Sequence, residues 1–139
     1  MSAKAKKRSA PKQKPKLSKC DVMTFVATRN AKKARKFYEE TLGLRFIADE
    51  SYALVFDLNG IMLRIQKVDD VTPAQYTVLG WSVRDIDAAV EILRERGVCF
   101  EQYPGMGQDE LGVWSSPGGA RVAWFRDPDG NTLSLTEFL

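Results

Sequence analysis

The sequence predicts an α+β fold in which two βαβββ modules combine their mixed sheets into a cup. Three observations predict it. Each half of the chain has one amphipathic helix among short β-rich runs, the order of elements recurs, and strong turn signals fall at matching positions. A helix covers only one face of a sheet, so we expect the two bare faces to line the cup.

A basic segment precedes this body. Eight of the 21 basic residues and none of the 18 acidic residues lie in the first 19 positions, so the rest of the chain is net acidic. A segment without aromatic residues or apolar periodicity cannot offset its ordering entropy. We therefore expect a disordered tail over residues 1–20 and one folded domain over 21–139. The tail is either a solvated segment or an arm for weak, nonspecific contact with nucleic acid.

The first module is predicted over residues 21–70. A β-rich run ends at Thr28, and Asn30 is a good N-cap for the helix that follows. Gly43 suits the end of this helix. Three more β-rich runs complete the module, and Asn59-Gly60 between the last two is a strong hairpin signal. The apolar face of the helix comprises Ala34, Phe37, Tyr38 and Leu42.

The second module is predicted over residues 75–139. Arg84-Asp85 repeats Arg29-Asn30 at an offset of 55, and Asp129-Gly130 repeats Asn59-Gly60 at an offset of 70. The difference between the offsets lies in an insertion, 103–119, whose Gly, Pro and Ser content predicts a loop or a lid. Such matched elements indicate duplication of one supersecondary unit. The apolar face of the second helix comprises Ile86, Ala89, Val90 and Leu93.

Three motifs carry a resemblance to a known family: FYEETLG at 37–43, RERG at 94–97 and FRDPDGNTLSL at 125–135. With these motifs, residues 21–139 resemble the vicinal-oxygen-chelate superfamily of glyoxalases, bleomycin-resistance proteins and extradiol dioxygenases. The resemblance implies a cup-shaped, partly open barrel and a homodimer. It also implies that metal-dependent members take ligands from the first and last strand of each module.

The four positions of this chain that match those ligands are Met23, Arg64, Val78 and Ser134. None of these side chains suits a divalent transition metal, and the chain contains no histidine. The sequence therefore predicts no metal and no cofactor. The two cysteines, Cys20 and Cys99, lack the spacing of a thiolate metal site.

Strand alternation assigns the residues that face the cup. Arg64 would be the cation among them. It either binds a ligand anion, or pairs with an internal acid such as Glu101 or Asp57, or extends to the rim. Trp114, in the insertion, either anchors the loop or closes over a ligand. The predicted ligand-binding residues are Met23, Phe25, Met62, Arg64, Gln66, Val78, Trp124 and Ser134.

These residues favour a metal-free protein that binds a small organic ligand, with Arg64 available for an anionic group. Two alternatives stay open: a divergent enzyme of the superfamily, like lactoylglutathione lyase or a dioxygenase, and a module whose cup is filled by its own side chains. No nucleophile is paired with a base in the pattern, so we predict no catalytic residue. The absence of a long apolar segment predicts a soluble, cytoplasmic protein without membrane contact.

Overall fold

A computed structural model describes residues 14–139, so most of the predicted tail lies outside the described residues. Within the tail, Leu17–Lys19 form one exposed turn of 3₁₀ helix, closed by the Cys20 N–H, which donates to the Leu17 carbonyl at 3.1 Å. The sequence predicts no regular structure there. A single turn differs from that expectation because it needs only local backbone bonds.

Both modules have the predicted order of elements. In the first sheet the strand order is β1-β4-β3-β2, with β1 and β4 parallel and the other pairs antiparallel. In the second sheet it is β5-β8-β7-β6, with β5 and β8 parallel. The prediction of an α+β fold with two βαβββ modules and mixed sheets is confirmed. The elements are β1 Met23–Thr28, α1 Ala31–Arg35, a π-helical segment Lys36–Thr41, β2 Arg45–Asp49, β3 Ala53–Leu58, β4 Ile61–Lys67, β5 Leu79–Ser82, α2 Ile86–Glu95, β6 Trp114–Ser115, β7 Ala120–Arg126 and β8 Thr132–Phe138.

The predicted caps and the first hairpin form as the sequence indicates. The Asn30 and Asp85 side chains accept the Lys33 and Ala88 N–H groups, both at 3.1 Å. In the β3–β4 turn, Asn59 and Gly60 have φ of 51° and 94°, the left-handed conformation that a two-residue hairpin requires. Among residues 14–139, no helix is long and apolar enough to cross a membrane.

The first helix widens after Arg35, which the sequence pattern does not predict. The Leu42 N–H donates to the Phe37 carbonyl five residues earlier, at 2.9 Å. The neighbouring rings of this segment reach different sheets: Phe37 packs against Phe125 of β7 at 6.5 Å between centroids, and Tyr38 against Phe56 of β3 at 6.1 Å. The helix therefore lies between the two sheets, and their inner faces share one core. The other face of each sheet, called the open face below, points away from that core.

Polar side chains join the modules beside this core. The Asp127 carboxylate, at the end of β7, accepts the hydroxyl of the fully buried Tyr38 at 2.6 Å and the Asn131 side-chain amide at 2.8 Å. Asp129 accepts the Thr28 hydroxyl at 2.6 Å. The same Asn131 amide donates to the β1 backbone at 2.9 Å. We call Thr28, Tyr38, Asp127, Asp129 and Asn131 the polar clasp. The Asp-Pro-Asp-Gly-Asn sequence thus forms a turn and also holds module two on module one.

The clasp should make stability depend on pH. Burial raises the pKa of the Asp127 carboxyl above its ordinary value, although its hydrogen bonds with Tyr38 and Asn131 oppose the shift. A carboxyl whose pKa is raised by folding contributes stability below its unfolded pKa and loses it as the pH rises through the folded pKa. We expect the unfolding free energy of the wild type, minus that of Asp127→Asn, to fall as the pH rises from roughly 3 to 7. Urea titrations across this range measure it, and a difference that grows with pH would contradict the assignment.

Candidate functional site

The open face of the first sheet carries five of the predicted ligand-binding residues. In the parallel β1–β4 pair, Met23 lies beside Met62 and Phe25 beside Arg64, and Gln66 follows on β4. Met23, Phe25 and Met62 are 44%, 49% and 39% exposed, whereas Val26, Leu63 and Ile65, which point to the other face, are buried. Exposed apolar side chains grouped on one face are typical of an interaction surface.

The open face of the second sheet carries the other three. Trp124 of β7 lies beside Ser134 of β8, which in turn lies beside Gly80 of β5. A Cβ atom at Gly80 would come within 2.8 Å of the Ser134 hydroxyl oxygen, so only glycine leaves room for that serine. Val78, just before β5, is 39% exposed.

The two open faces meet where β1 approaches β5. A shallow groove of about 270 Å³ there is lined by Phe25 and Gln66 from the first sheet, Val78 from the second, and Asn131 of the polar clasp. Three predicted site residues therefore share one groove. Met23, Met62 and Arg64 lie farther along the first sheet, and Trp124 and Ser134 lie on the second sheet.

Three aromatic side chains gather on the open face of the second sheet. Trp114 of β6 pairs with Val122 and so shares a face with Trp124, whose ring centroid is 6.0 Å away. Tyr103 packs edge-on against Trp124 at 5.8 Å. We call Tyr103, Trp114 and Trp124 the aromatic cluster. All three are partly exposed, so their rings form a surface on which a planar molecule could stack.

The insertion that carries Tyr103 is held in place by two side chains. Gln108 accepts the Tyr103 N–H at 2.6 Å, and its amide donates to the carbonyls of Glu101 and Gly112 at 2.9 and 2.8 Å. Asp109 accepts the Val113 N–H at 2.8 Å. Because these bonds fix the loop backbone, the insertion is an ordered support for the aromatic cluster and not an open lid.

Gln108→Ala should loosen this loop. The three backbone groups that Gln108 satisfies are partly buried, so we expect a loss of about 1 to 3 kcal/mol in unfolding free energy. Hydrogen exchange at Tyr103 and Gly112 should also accelerate. Gln102→Ala is a matched control, because Gln102 makes a single exposed hydrogen bond, to the Asp109 carbonyl. Equal protection of the loop in both variants would show that Gln108 does not hold it.

Arg64 pairs with neither of the acids that the sequence suggested. Its guanidinium contacts Glu50 in the β2–β3 turn at 2.9 Å. Asp57 lies beside Met62, two positions before Arg64 on β4, and pairs with Arg45 at 3.8 Å. The partner is an exposed acid of the turn and not an internal one, because the turn brings Glu50 near Arg64.

A second cation, Arg126, was missed. It follows Val122 and Trp124 on the same face of β7, so strand alternation already indicated it, and it lies 3.6 Å from Glu101. Tyr103, Glu50 and Gln108, by contrast, lie in loops. Loops have no periodicity from which the direction of a side chain could be predicted, so the sequence does not indicate the contacts of these three residues.

The family's metal positions do not form a metal site in this chain. Met23 offers a thioether, Ser134 a neutral hydroxyl, and Val78 has no donor atom. Arg64 is a cation already paired with Glu50. In the part of the chain that is described, no three His, Cys, Asp or Glu side chains are grouped to hold an ion. The side chains at these four positions do not fit a metal ion.

Comparison with known proteins identifies the family. Residues 21–135 match the model of the glyoxalase/bleomycin resistance protein/dioxygenase superfamily, and the chain belongs to that superfamily. It is 30% identical, over 125 residues, to the uncharacterized protein YraH of Bacillus subtilis, covering 78% of this chain and 90% of that protein.

Solved structures agree with this assignment. TnmS3, an antibiotic binding protein from Streptomyces sp. CB03234, is 28% identical with a TM-score of 0.66, over 86% of this chain and 96% of that one. A superfamily member from Sphaerobacter thermophilus is also 28% identical, with a TM-score of 0.67, over 85% and 96%. Lactoylglutathione lyase from Agrobacterium tumefaciens has a TM-score of 0.62 over 86% and 93%, but at 18% identity this likeness shows the fold alone.

Proposed function

We propose that this chain is a metal-free binding protein that holds a planar organic ligand on the open faces of its sheets. The observation that carries the proposal is the aromatic cluster, in which Trp124 contacts Tyr103 and Trp114 and still leaves ring surface exposed. Aromatic rings with a few polar groups are typical of small-molecule sites. Arg64 and Arg126 offer positive charge. Ser134, a predicted ligand-binding residue, is only 6% exposed and so contributes little to a ligand surface.

The likeness to TnmS3 supports binding as the function, because that protein is an antibiotic binding protein and its identity to this chain exceeds that of the lyase. The enzyme alternative would need a metal or an acid–base pair on the open faces. The four matching positions supply no suitable ligand set, so binding accounts for the residues better.

We further propose that the protein works as a homodimer. Each open face is turned away from the core of its own chain, which leaves Met23, Phe25 and Met62 more than a third exposed. A second copy would bury these side chains and provide an opposite wall for the ligand. Sedimentation of the full chain measures this directly. A monomer at micromolar concentration would contradict the proposal that a second copy forms one wall of the site. It would not contradict ligand binding by the aromatic cluster of a single copy.

A binding titration tests the proposed function. The probe is 8-anilinonaphthalene-1-sulfonate, a planar aromatic anion whose fluorescence rises in apolar surroundings. We expect saturable binding by the wild type and binding about ten- to a hundredfold weaker by Arg64→Ala, since a hydrogen bond to a charged group contributes roughly 1.5 to 3 kcal/mol. Because the Arg64–Glu50 pair is partly exposed, its loss should change the unfolding free energy by less than about 1 kcal/mol.

Arg84→Ala is the matched control, because Arg84 is an exposed arginine just beyond β5. Unchanged affinity in Arg64→Ala would remove Arg64 from the site. The absence of any saturable binding to the wild type would count against the proposed function itself.

A further inference from the structure

A second apolar cavity lies on the opposite side of the second sheet from the aromatic cluster. Its volume is about 320 Å³, within the range of small-molecule sites. Its floor includes Phe125 and Leu135, which alternate along β7 and β8 with Trp124 and Ser134 of the open face. One layer of sheet therefore separates this cavity from the proposed site. The cavity is lined by Leu42, Leu44, Trp81, Val83, Ala89, Ile92 and Leu93, together with Ser82 and Arg96.

The cavity lies between the modules and opens to solvent beside α2. Leu42 and Leu44 lie between the first helix and β2, and Ile92 comes from α2. Ile92 is 48% exposed although it adjoins an apolar cavity. A wider and more polar depression beside β1 and β5 adjoins the cavity and shares Leu44, Trp81 and Ser82 with it. The aliphatic and aromatic walls of the cavity favour an alkyl chain over a compact polar molecule.

One charge stands at the mouth of the cavity. Arg96, just after α2, is the one charged residue that lines it. Its guanidinium donates to the Thr41 carbonyl at 3.1 Å and makes no ion pair with any carboxylate in residues 14–139. A guanidinium has five N–H donors, so most of them are available to an anion. An apolar cavity with one accessible cation at its entrance is complementary to an amphipathic carboxylate.

We propose that this cavity binds an unbranched aliphatic monocarboxylate of medium length, with its carboxylate on Arg96 and its chain among Leu44, Trp81 and Ile92. The site is distinct from the open faces and does not depend on the function proposed for them. The chain of the ligand would cover Leu93 and Ile92 and join the two modules through one more set of apolar contacts.

Decanoate, below its micelle concentration, is the probe. It is titrated into the full-chain protein while amide NMR spectra are recorded. We expect saturable shifts at Leu44, Ile92 and Arg96, with little change at Trp124 or Ser134. Bound 8-anilinonaphthalene-1-sulfonate should remain bound, because the two sites lie on opposite sides of the sheet. Shifts confined to the open face, or no saturable shift at millimolar decanoate, would overturn the proposal.

Two variants test separately the contribution of the Arg96 charge and that of the apolar wall, and a third is a control. Arg96→Gln removes the charge and keeps a polar side chain at this exposed position, so decanoate should bind about tenfold more weakly and decanol should be unaffected. Arg94→Gln, on the same helix but outside this cavity, should bind like the wild type. Ile92→Glu changes a half-exposed position and should repel decanoate without unfolding the chain. Equal decanoate affinity in the wild type, Arg96→Gln and Ile92→Glu would refute the site.

Discussion

Asp127→Ala should lower the unfolding free energy by about 3 to 5 kcal/mol, a loss as large as that of truncating a buried aromatic residue. The Asp127 carboxylate accepts four hydrogen bonds: from the Tyr38 hydroxyl, from the side chain and backbone of Asn131, and from the Asp129 N–H. Removing it leaves the fully buried Tyr38 hydroxyl without its acceptor. Urea unfolding followed by circular dichroism measures the loss.

A double-mutant cycle identifies the cause of this effect. Tyr38→Phe removes the hydroxyl that Asp127→Ala leaves without an acceptor. The double variant should therefore lose less unfolding free energy than the sum of the losses of the two single variants. Asp70→Ala is the control, because Asp70 is exposed and accepts only the N–H of the next residue. Strict additivity of Tyr38→Phe and Asp127→Ala would mean that the buried bond between them contributes little.

Trp124→Ala should weaken binding of 8-anilinonaphthalene-1-sulfonate by about 30-fold or more, since truncating a central aromatic residue of a binding site costs roughly 2 to 4 kcal/mol. Trp124 lies between Tyr103 and Trp114 and beside Ser134, so its removal takes away the middle of the stacking surface. It is partly exposed, and the fold should survive the change. Fluorescence titration gives the affinity, and circular dichroism checks the fold.

Trp124→Phe and Tyr76→Ala complete this test. Phenylalanine preserves a ring at the centre of the cluster and should retain much of the affinity. Tyr76 is an exposed aromatic residue between β4 and β5, so its loss should have little effect. If Trp124→Ala bound the probe as tightly as the wild type, the aromatic cluster would not be the ligand surface.

The sequence predicts the two modules well because their signals are local. Caps at Asn30 and Asp85 and the Asn59-Gly60 hairpin depend on short-range geometry, and the structure confirms all three. Strand alternation likewise places Phe25 and Arg64 on one face, where the structure has them.

Contacts between distant segments could not be predicted from the sequence. The Arg64–Glu50 pair depends on the path of the β2–β3 turn, and the packing of Tyr103 on Trp124 depends on bonds made by Gln108 inside an aperiodic loop. The widening of the first helix at Phe37 is set by tertiary packing against both sheets, which overrides local helical preference.

The polar clasp also shows that the two halves of the chain have ceased to be equivalent. At the offset of the repeat, Asp57 corresponds to Asp127 and Ile61 to Asn131. Asp57 instead accepts the Gly60 N–H of its own turn and lies near Arg45 at the surface, and an isoleucine cannot donate as Asn131 does. A chain assembled from two copies of the first half would therefore lack the bonds that hold the halves together. Whatever symmetry the ancestral duplication created, each half now depends on the other and could not be exchanged for it.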